Sequence, residues 1–227
     1  MRWCTGLISI IIPVLNEEKK LPDLLNHLQV FRKQGHELII VDGGSDDNSL
    51  MLAQMSADNV LVSRKGRAVQ MNSGASVAKG DVLLFLHSDT FLPEAAFNMI
   101  ENHVQESFWG RFDVRLSSNK FIFRIIEFFI NVRSRLTSIN TGDQAIFIKS
   151  QLFTTVGGFP EIALMEDIAI SKKLKKIISP ICLKQKVITS SRRWESRGVS
   201  ATVFLMWKLR LYYFCGVSPD RLNQLYR

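Results

Sequence analysis

Cysteine is scarce: Cys4, Cys182 and Cys215 are odd in number, far apart, and lack both a CxxC pair and an obvious histidine partner. That argues against a disulfide framework and a zinc site, and it suits a reducing cytoplasm. Long apolar runs are also missing. No stretch reaches the ~18 to 20 uninterrupted apolar residues that span a bilayer, so a soluble or peripheral protein is expected. The early run GLISIIIPVL has one arginine before it and NEE after it, with no small-residue cleavage site, and reads as a buried strand rather than a secretory signal. Repeats, low-complexity tracts and linkers are absent too. The 227 residues, 46% of them apolar, are therefore expected to form one domain, 1–227.

What is present in excess is positive charge. Lys and Arg outnumber Asp and Glu by 29 to 21, giving +8, which suits an anionic partner such as a nucleotide, a phospholipid surface or nucleic acid. The two signs are interspersed outside 172–193, whereas a nucleic-acid-binding protein should gather its charge on one face or tail.

The first 90 residues alternate apolar runs with helical spacing, the pattern of strand–helix units and a mostly parallel central sheet flanked by helices. Strands are expected at 7–15, 37–42 (ELIIVD), 58–63 (DNVLVS) and 81–87 (DVLLFLH). Leu21, Leu24, Leu25, Leu28 and Phe31 mark the first helix, with further helices around 47–56 and 67–79. Beyond Pro93 a helix runs to about Glu106, and the pattern then becomes mixed. FWGRFDVRL (108–116) alternates as a half-buried strand does, 144–149 and 180–189 look extended, and 164–177 and 200–215 look helical.

In such sheets ligands bind beyond the carboxyl ends of the strands. Three polar clusters stand there: PVLNEE (13–18), VDGGSDD (41–47) and LHSDT (86–90). Helix capping alone would account for Asp46 and Asp47. It explains poorly why Asp42 precedes two glycines and why Asp89 precedes Thr90 and a strand-like Phe91.

Four segments, ISIIIPVLNEE, IIVDGGSDDNS, GRAVQMNSGASVAKGDVLLFLHSDT and GGFPEIALMEDIAIS, stand in the order and spacing of family 2 glycosyltransferases, which this chain resembles from about residue 7 to 175. It looks closest to a compact bacterial subgroup of selenodomain-associated transferases, which TGDQAIFI (141–148) and SSRRWESRG (190–198) also resemble. The resemblance implies an α/β GT-A-like fold, with 1–92 as a nucleotide-binding half and 93–227 as an acceptor half with C-terminal helices. It implies inverting transfer of a sugar from a nucleotide-diphospho-sugar to an acceptor hydroxyl, with Mg²⁺ or Mn²⁺ as cofactor.

Residue by residue, the resemblance implies that Pro13, Leu15, Asn16, Glu17, Asp42 and Gly43 hold the base and ribose, and that Arg67 and Ser88 stand near the donor. Asp89 matches the last acid of a DxD signature that binds the divalent cation. His87 replaces the first acid, and is either a further metal ligand or a structural imidazole at a strand end. Asp167, second of the Glu166–Asp167 pair, matches the general base; Asp143 is the rival. Arg192, Arg193 and Trp194 resemble an Arg-Trp element that closes over the diphosphate, although the longer QxxRW form is absent; a solvated basic loop is the other reading of 191–194.

The chemistry suits those residue types. A diphosphate leaving group gathers negative charge, which a cation held by few carboxylates, waters and phosphate oxygens can neutralise. Paired guanidinium groups clamp phosphate. A sugar nucleotidyltransferase would instead want a glycine- and lysine-rich phosphate loop near the N-terminus, which PVLNEEKK does not resemble.

One helix stands apart. In 120–135, Lys120, Arg124, Glu127, Asn131 and Arg135 form one polar stripe on a surface otherwise of Phe, Ile and Val. Core packing is the expectation, with a homodimer face or a peripheral membrane site for a lipid-linked acceptor beside Arg133 as the other readings. The apolar 201–216 segment invites the same three.

Overall fold

The computed structural model describes residues 6–103 and 107–226; Cys4 and the expected helix end at Glu106 lie outside them. Four strands, β1 (Ile8–Val14), β2 (Glu37–Asp42), β3 (Asn59–Val62) and β4 (Val82–Phe85), alternate with helices α1 (Leu21–Lys33), α2 (Ser49–Gln54) and α3 (Arg67–Val77). The strands pair in parallel in the order β3-β2-β1-β4, with Ile11 beside both Ile39 and Phe85. The period of two divides their side chains between two covered faces. Ile10, Ile12, Leu38, Ile40 and Leu84 pack with α1, while Ile11, Ile39, Val41, Leu83 and Phe85 pack with Ala68 and Met71 of α3. A Cβ on Gly74 would stand 2.5 Å from Ile11 Cγ2, so only glycine lets α3 lie this close to the sheet.

The remaining elements are β5 (Thr90–Phe91), α4 (Ala96–Glu101), β6 (Trp109–Leu116), α5 (Phe121–Thr137), a 3₁₀ turn (Gly142–Gln144), β7 (Ile146–Lys149), α6 (Ser150–Thr155), α7 (Glu166–Leu174), β8 (Ile181–Thr189), α8 (Arg192–Arg197), α9 (Val199–Phe214) and α10 (Pro219–Tyr226). They extend the same sheet to the order β3-β2-β1-β4-β7-β6-β8-β5. Pairings β1/β2, β2/β3, β1/β4 and β6/β8 are parallel; β4/β7, β6/β7 and β5/β8 are antiparallel. The sheet is thus mixed at its second half and parallel at its first, within the expected α/β class. Cys182 and Cys215 are free thiols.

Two expectations change. β6 is not half-exposed: Trp109, Arg111 and Asp113 are buried along with the alternate apolar residues, and only Arg115 is open. The reason is α5, whose polar stripe faces inward. β7 pairs with β6 only at Trp109 and Gly110, leaving the edge beyond without a strand on that side. Side chains of α5 take its place: Asn131 bonds both Val114 N (2.9 Å) and Val114 O (3.1 Å), Glu127 accepts from Leu116 N (2.7 Å), and Arg124 donates to Leu116 O (3.0 Å). Buried backbone groups must find partners, and here a helix supplies them. In consequence Phe121, Phe128 and Phe129 point outward, 77%, 62% and 64% exposed.

Candidate active site

Because β1, β2 and β4 run parallel, their carboxyl ends meet on one rim, and the loops that follow are laced together. Asn16 adopts φ +55°, a left-handed conformation that asparagine tolerates better than most residues. Its N–H donates to Ser45 Oγ (2.9 Å) and its Oδ1 accepts from Asp46 N (2.8 Å). Asp42 accepts from Gly44 N (2.9 Å) and Ser45 N (2.8 Å), and Gly43 N donates to Val14 O (2.8 Å). Gln70, a residue the sequence reading passed over, ties the two strand ends to α3 through 2.8 Å bonds to Val14 O and Val41 O. A single amide among Ala68, Met71 and Gly74 on the inner face of a helix was its only sequence signal.

These loops open on a cavity of about 1070 Å³. Pro13, Leu15 and Glu17 line it from the first loop, Arg67 from the start of α3, and His87, Ser88 and Asp89 from the turn after β4. Asp143, Glu166, Asp167, Arg192, Arg193 and Trp194 line it from the second half. Asn16, Asp42 and Gly43 do not: they hold the two loops in register behind the wall.

At the centre lie the acids. Met165 sits at φ +73°, an uncommon conformation for a side chain of its size, and that turn delivers Glu166 and Asp167 at the start of α7. Asp167 Oδ2 accepts from Gly142 N (3.1 Å), fixing the 3₁₀ turn that carries Asp143. Asp143 Oδ1 is buried without a hydrogen-bond partner. Glu166 is buried and meets Arg67 Nε at 3.2 Å. Burial pushes its carboxyl above the usual range; Arg67 opposes that and the neighbouring Asp167 adds to it. Arg67 is therefore both the ion-pair partner of Glu166 and a wall of the cavity.

His87 lies against Gly142, where an added Cβ would collide with the imidazole ring. Burial, then repulsion from Arg67, lower its pKa, while Asp89, Asp143 and Asp167 pull the other way; the net shift favours the neutral ring. A neutral imidazole can ligate a metal. Among the described residues no three His, Cys, Asp or Glu side chains form a group that could hold a metal by themselves, so this turn offers Asp89 with His87 beside it. That donor set fits a Mg²⁺ or Mn²⁺ ion which takes most of its ligands from diphosphate and water.

The Arg-Trp stretch is not a loop. It forms α8, with the Arg193 guanidinium 3.9 Å from the Tyr226 ring centroid and Trp194 packed against the Leu116, Phe123 and Ile126 cluster. Burial, followed by the charges of Arg197 and Arg67, lowers the Arg193 pKa, and Asp89 opposes the shift.

Residues 9–159 match the family described as Glycosyl transferase family 2. A PGL/p-HBAD biosynthesis glycosyltransferase of Mycobacterium bovis is 32% identical over 166 residues, 67% of this chain and 63% of that protein. The chain thus spans less than two thirds of the curated relatives it matches. Among solved structures, the mannosyltransferase PcManGT from Pyrobaculum calidifontis, in complex with GDP-Man and Mn²⁺, superposes with a TM-score of 0.65 at 16% identity, covering 90% of this chain and 60% of that one. S. aureus TarS 1-349 in complex with UDP-GlcNAc gives 0.63 at 20% identity, covering 81% and 58%. Both likenesses establish a GT-A glycosyltransferase fold.

Proposed function

The chain belongs to glycosyl transferase family 2, and on that premise we propose that it is a metal-assisted, inverting glycosyltransferase that moves a sugar from a nucleotide-diphospho-sugar to an acceptor hydroxyl. The observation that carries this reading is convergence: Asp89 at the end of a parallel strand and Asp167 at the start of a helix 78 positions further on line one cavity with Glu17 and Arg193. Solved neighbours that hold GDP-Man with Mn²⁺, or UDP-GlcNAc, support the choice of donor class and cation.

In this reading Pro13 and Leu15 pack against the base and Glu17 accepts ribose hydroxyls, while Asn16, Asp42 and Gly43 shape the loops that present them. Ser88 and Arg67 border the donor; Arg192 and Arg193 neutralise the diphosphate, and Trp194 covers its flank. Mg²⁺ or Mn²⁺, held by Asp89 with His87 beside it, would offset the charge that gathers on the departing diphosphate. Asp167 orients the acceptor hydroxyl and takes its proton. The acceptor oxygen bonds to the anomeric carbon as the bond to the diphosphate oxygen breaks, and the electron pair leaves with the nucleoside diphosphate. Attack from the opposite face inverts the anomeric centre. Glu166 positions Arg67 rather than reacting.

Asp143 supports a second assignment of the base, because its Oδ1 is buried and unpaired whereas both oxygens of Asp167 accept backbone hydrogen bonds. Turnover decides between them. Asp167→Asn should lower it by roughly 10² to 10⁴-fold with donor affinity little changed. If Asp143→Asn shows that loss and Asp167→Asn keeps near-parental turnover, the roles exchange.

As to place, no helix among the described residues is long and apolar enough to cross a membrane. The scarcity of cysteine supports a cytoplasmic place, and a peripheral position at the inner face of the membrane is the alternative. Nucleic acid is not a partner in this reading.

A further inference from the structure

α5 and α9 border the same cavity, and both leave apolar side chains exposed. α9 carries Phe204, Trp207, Leu211 and Phe214 in the open, and of its 16 residues only Thr202 and Leu209 are buried. A helix apolar on nearly all sides wants an apolar surrounding. α5 turns Phe128 and Phe129 outward in the same way. Phe129 and Trp207 also line the cavity that reaches Asp167 and Asp89, so the apolar surface continues into the active site.

Charge selects what covers it. The only acid on α5, Glu127, is buried and paired with Arg124 at 2.8 Å; α9 has no acid and carries Lys208 and Arg210. Arg133 and Arg210 line the same cavity, and Arg133 Nε and Nη2 are buried without a hydrogen-bond partner. A desolvated guanidinium with free donors calls for an anion. A two-fold contact between copies would set these cations against one another. An anionic bilayer surface complements them, and an in-plane helix with aromatic residues and a cationic edge is the form that binds there.

We propose that α5 and α9 lie on an anionic membrane surface, and that the acceptor is a lipid whose headgroup phosphate is held by Arg133 and Arg210 while its hydroxyl meets Asp167. The second half rests on the transferase reading above. α9, at 16 residues, lies in the interface and does not cross it. The lipid tails follow Phe129 and Trp207 outward, and the sugar is added at the headgroup end of the cavity.

The test uses the full chain with vesicles of phosphatidylglycerol or of phosphatidylcholine. The parent should sediment with the first and not with the second. Phe128→Ser with Phe204→Ser, both outside the cavity lining, should abolish sedimentation and leave titration with UDP or GDP plus Mn²⁺ unchanged. Short-chain, soluble phosphatidylglycerol, followed by tryptophan fluorescence, should bind at least tenfold tighter than inorganic phosphate. It should weaken at least tenfold in Arg133→Gln with Arg210→Gln. Equal sedimentation with both vesicles, equal binding of lipid and phosphate, or a dimer that Phe128→Ser dissolves would each overturn the proposal. Failure of nucleotide binding with lipid binding intact would strike the donor reading alone.

Discussion

At the scale of the residue, His36 shows how one ring ties local chemistry to stability. Its Nδ1 accepts from Ile8 N at 3.3 Å, at the first residue of β1, and its ring stands edge-on to Phe97 with centroids 4.3 Å apart. Acceptance requires an unprotonated nitrogen, and burial lowers the pKa below 6.5. The unfolded chain therefore binds the proton more readily, and stability falls as pH drops below about 6.5 toward the folded value. Thermal melts at pH 7.5 and 5.5 should show this loss, and His36→Gln should reduce it; an unchanged slope would refute the role. Asp89 makes the second prediction at this scale. Asp89→Asn should weaken Mn²⁺-dependent binding of a nucleoside diphosphate while the melting temperature holds, because Asp89 lines the cavity at a strand end rather than packing in the core. An equal metal response in mutant and parent would remove it from the cation site.

Elements behave as units whose faces are chosen by their neighbours. The α5 stripe serves the uncovered edge of β6, so Asn131→Leu leaves Val114 N–H and C=O without partners. That should cost about 1–3 kcal/mol for each unsatisfied group, read as a shift in denaturant midpoint with unchanged slope. A shift under a few tenths would mean that water replaces the amide. α8 makes the companion case. If Arg192 and Arg193 face the diphosphate, Ala at either position should weaken a nucleoside diphosphate more than the bare nucleoside, whose contacts lie in the first loop. Equal losses for the two ligands would return α8 to a solvated basic helix.

For the whole molecule, β7 joins the two halves. It pairs with β4 on one side and with β6 on the other, so the parallel strands of the first 92 residues and the mixed strands that follow form one sheet. Its residues Ile146 and Ile148 pack with Ile11, Ile39 and Trp109. The two halves should therefore unfold together, with Trp fluorescence and far-UV circular dichroism reporting coincident transitions. Separated transitions would divide the chain at β7.

The amino-acid sequence determined the parallel strands, because continuous runs such as ELIIVD and VLLF fit only where both faces are covered, and it placed the rim acids by ending those runs in polar clusters. Glu17 and Asp89 were legible for that reason, and their place on one rim follows from the parallel order; Asp167, at the start of α7, was legible only through the resemblance carried by GGFPEIALMED. Tertiary structure alone decided which face of α5 turns inward. The same stripe serves equally as a solvated face until the edge of β6 is found to lack a strand, and unmet backbone hydrogen bonds then outweigh the burial of phenylalanine. Likewise Asp42 follows a strand as Asp89 does, yet the Gly44 and Ser45 N–H groups turn its carboxylate onto its own loop. A strand-end acid announces itself in sequence, but whether it faces a ligand or its own backbone depends on the donors that the folded loop brings within reach.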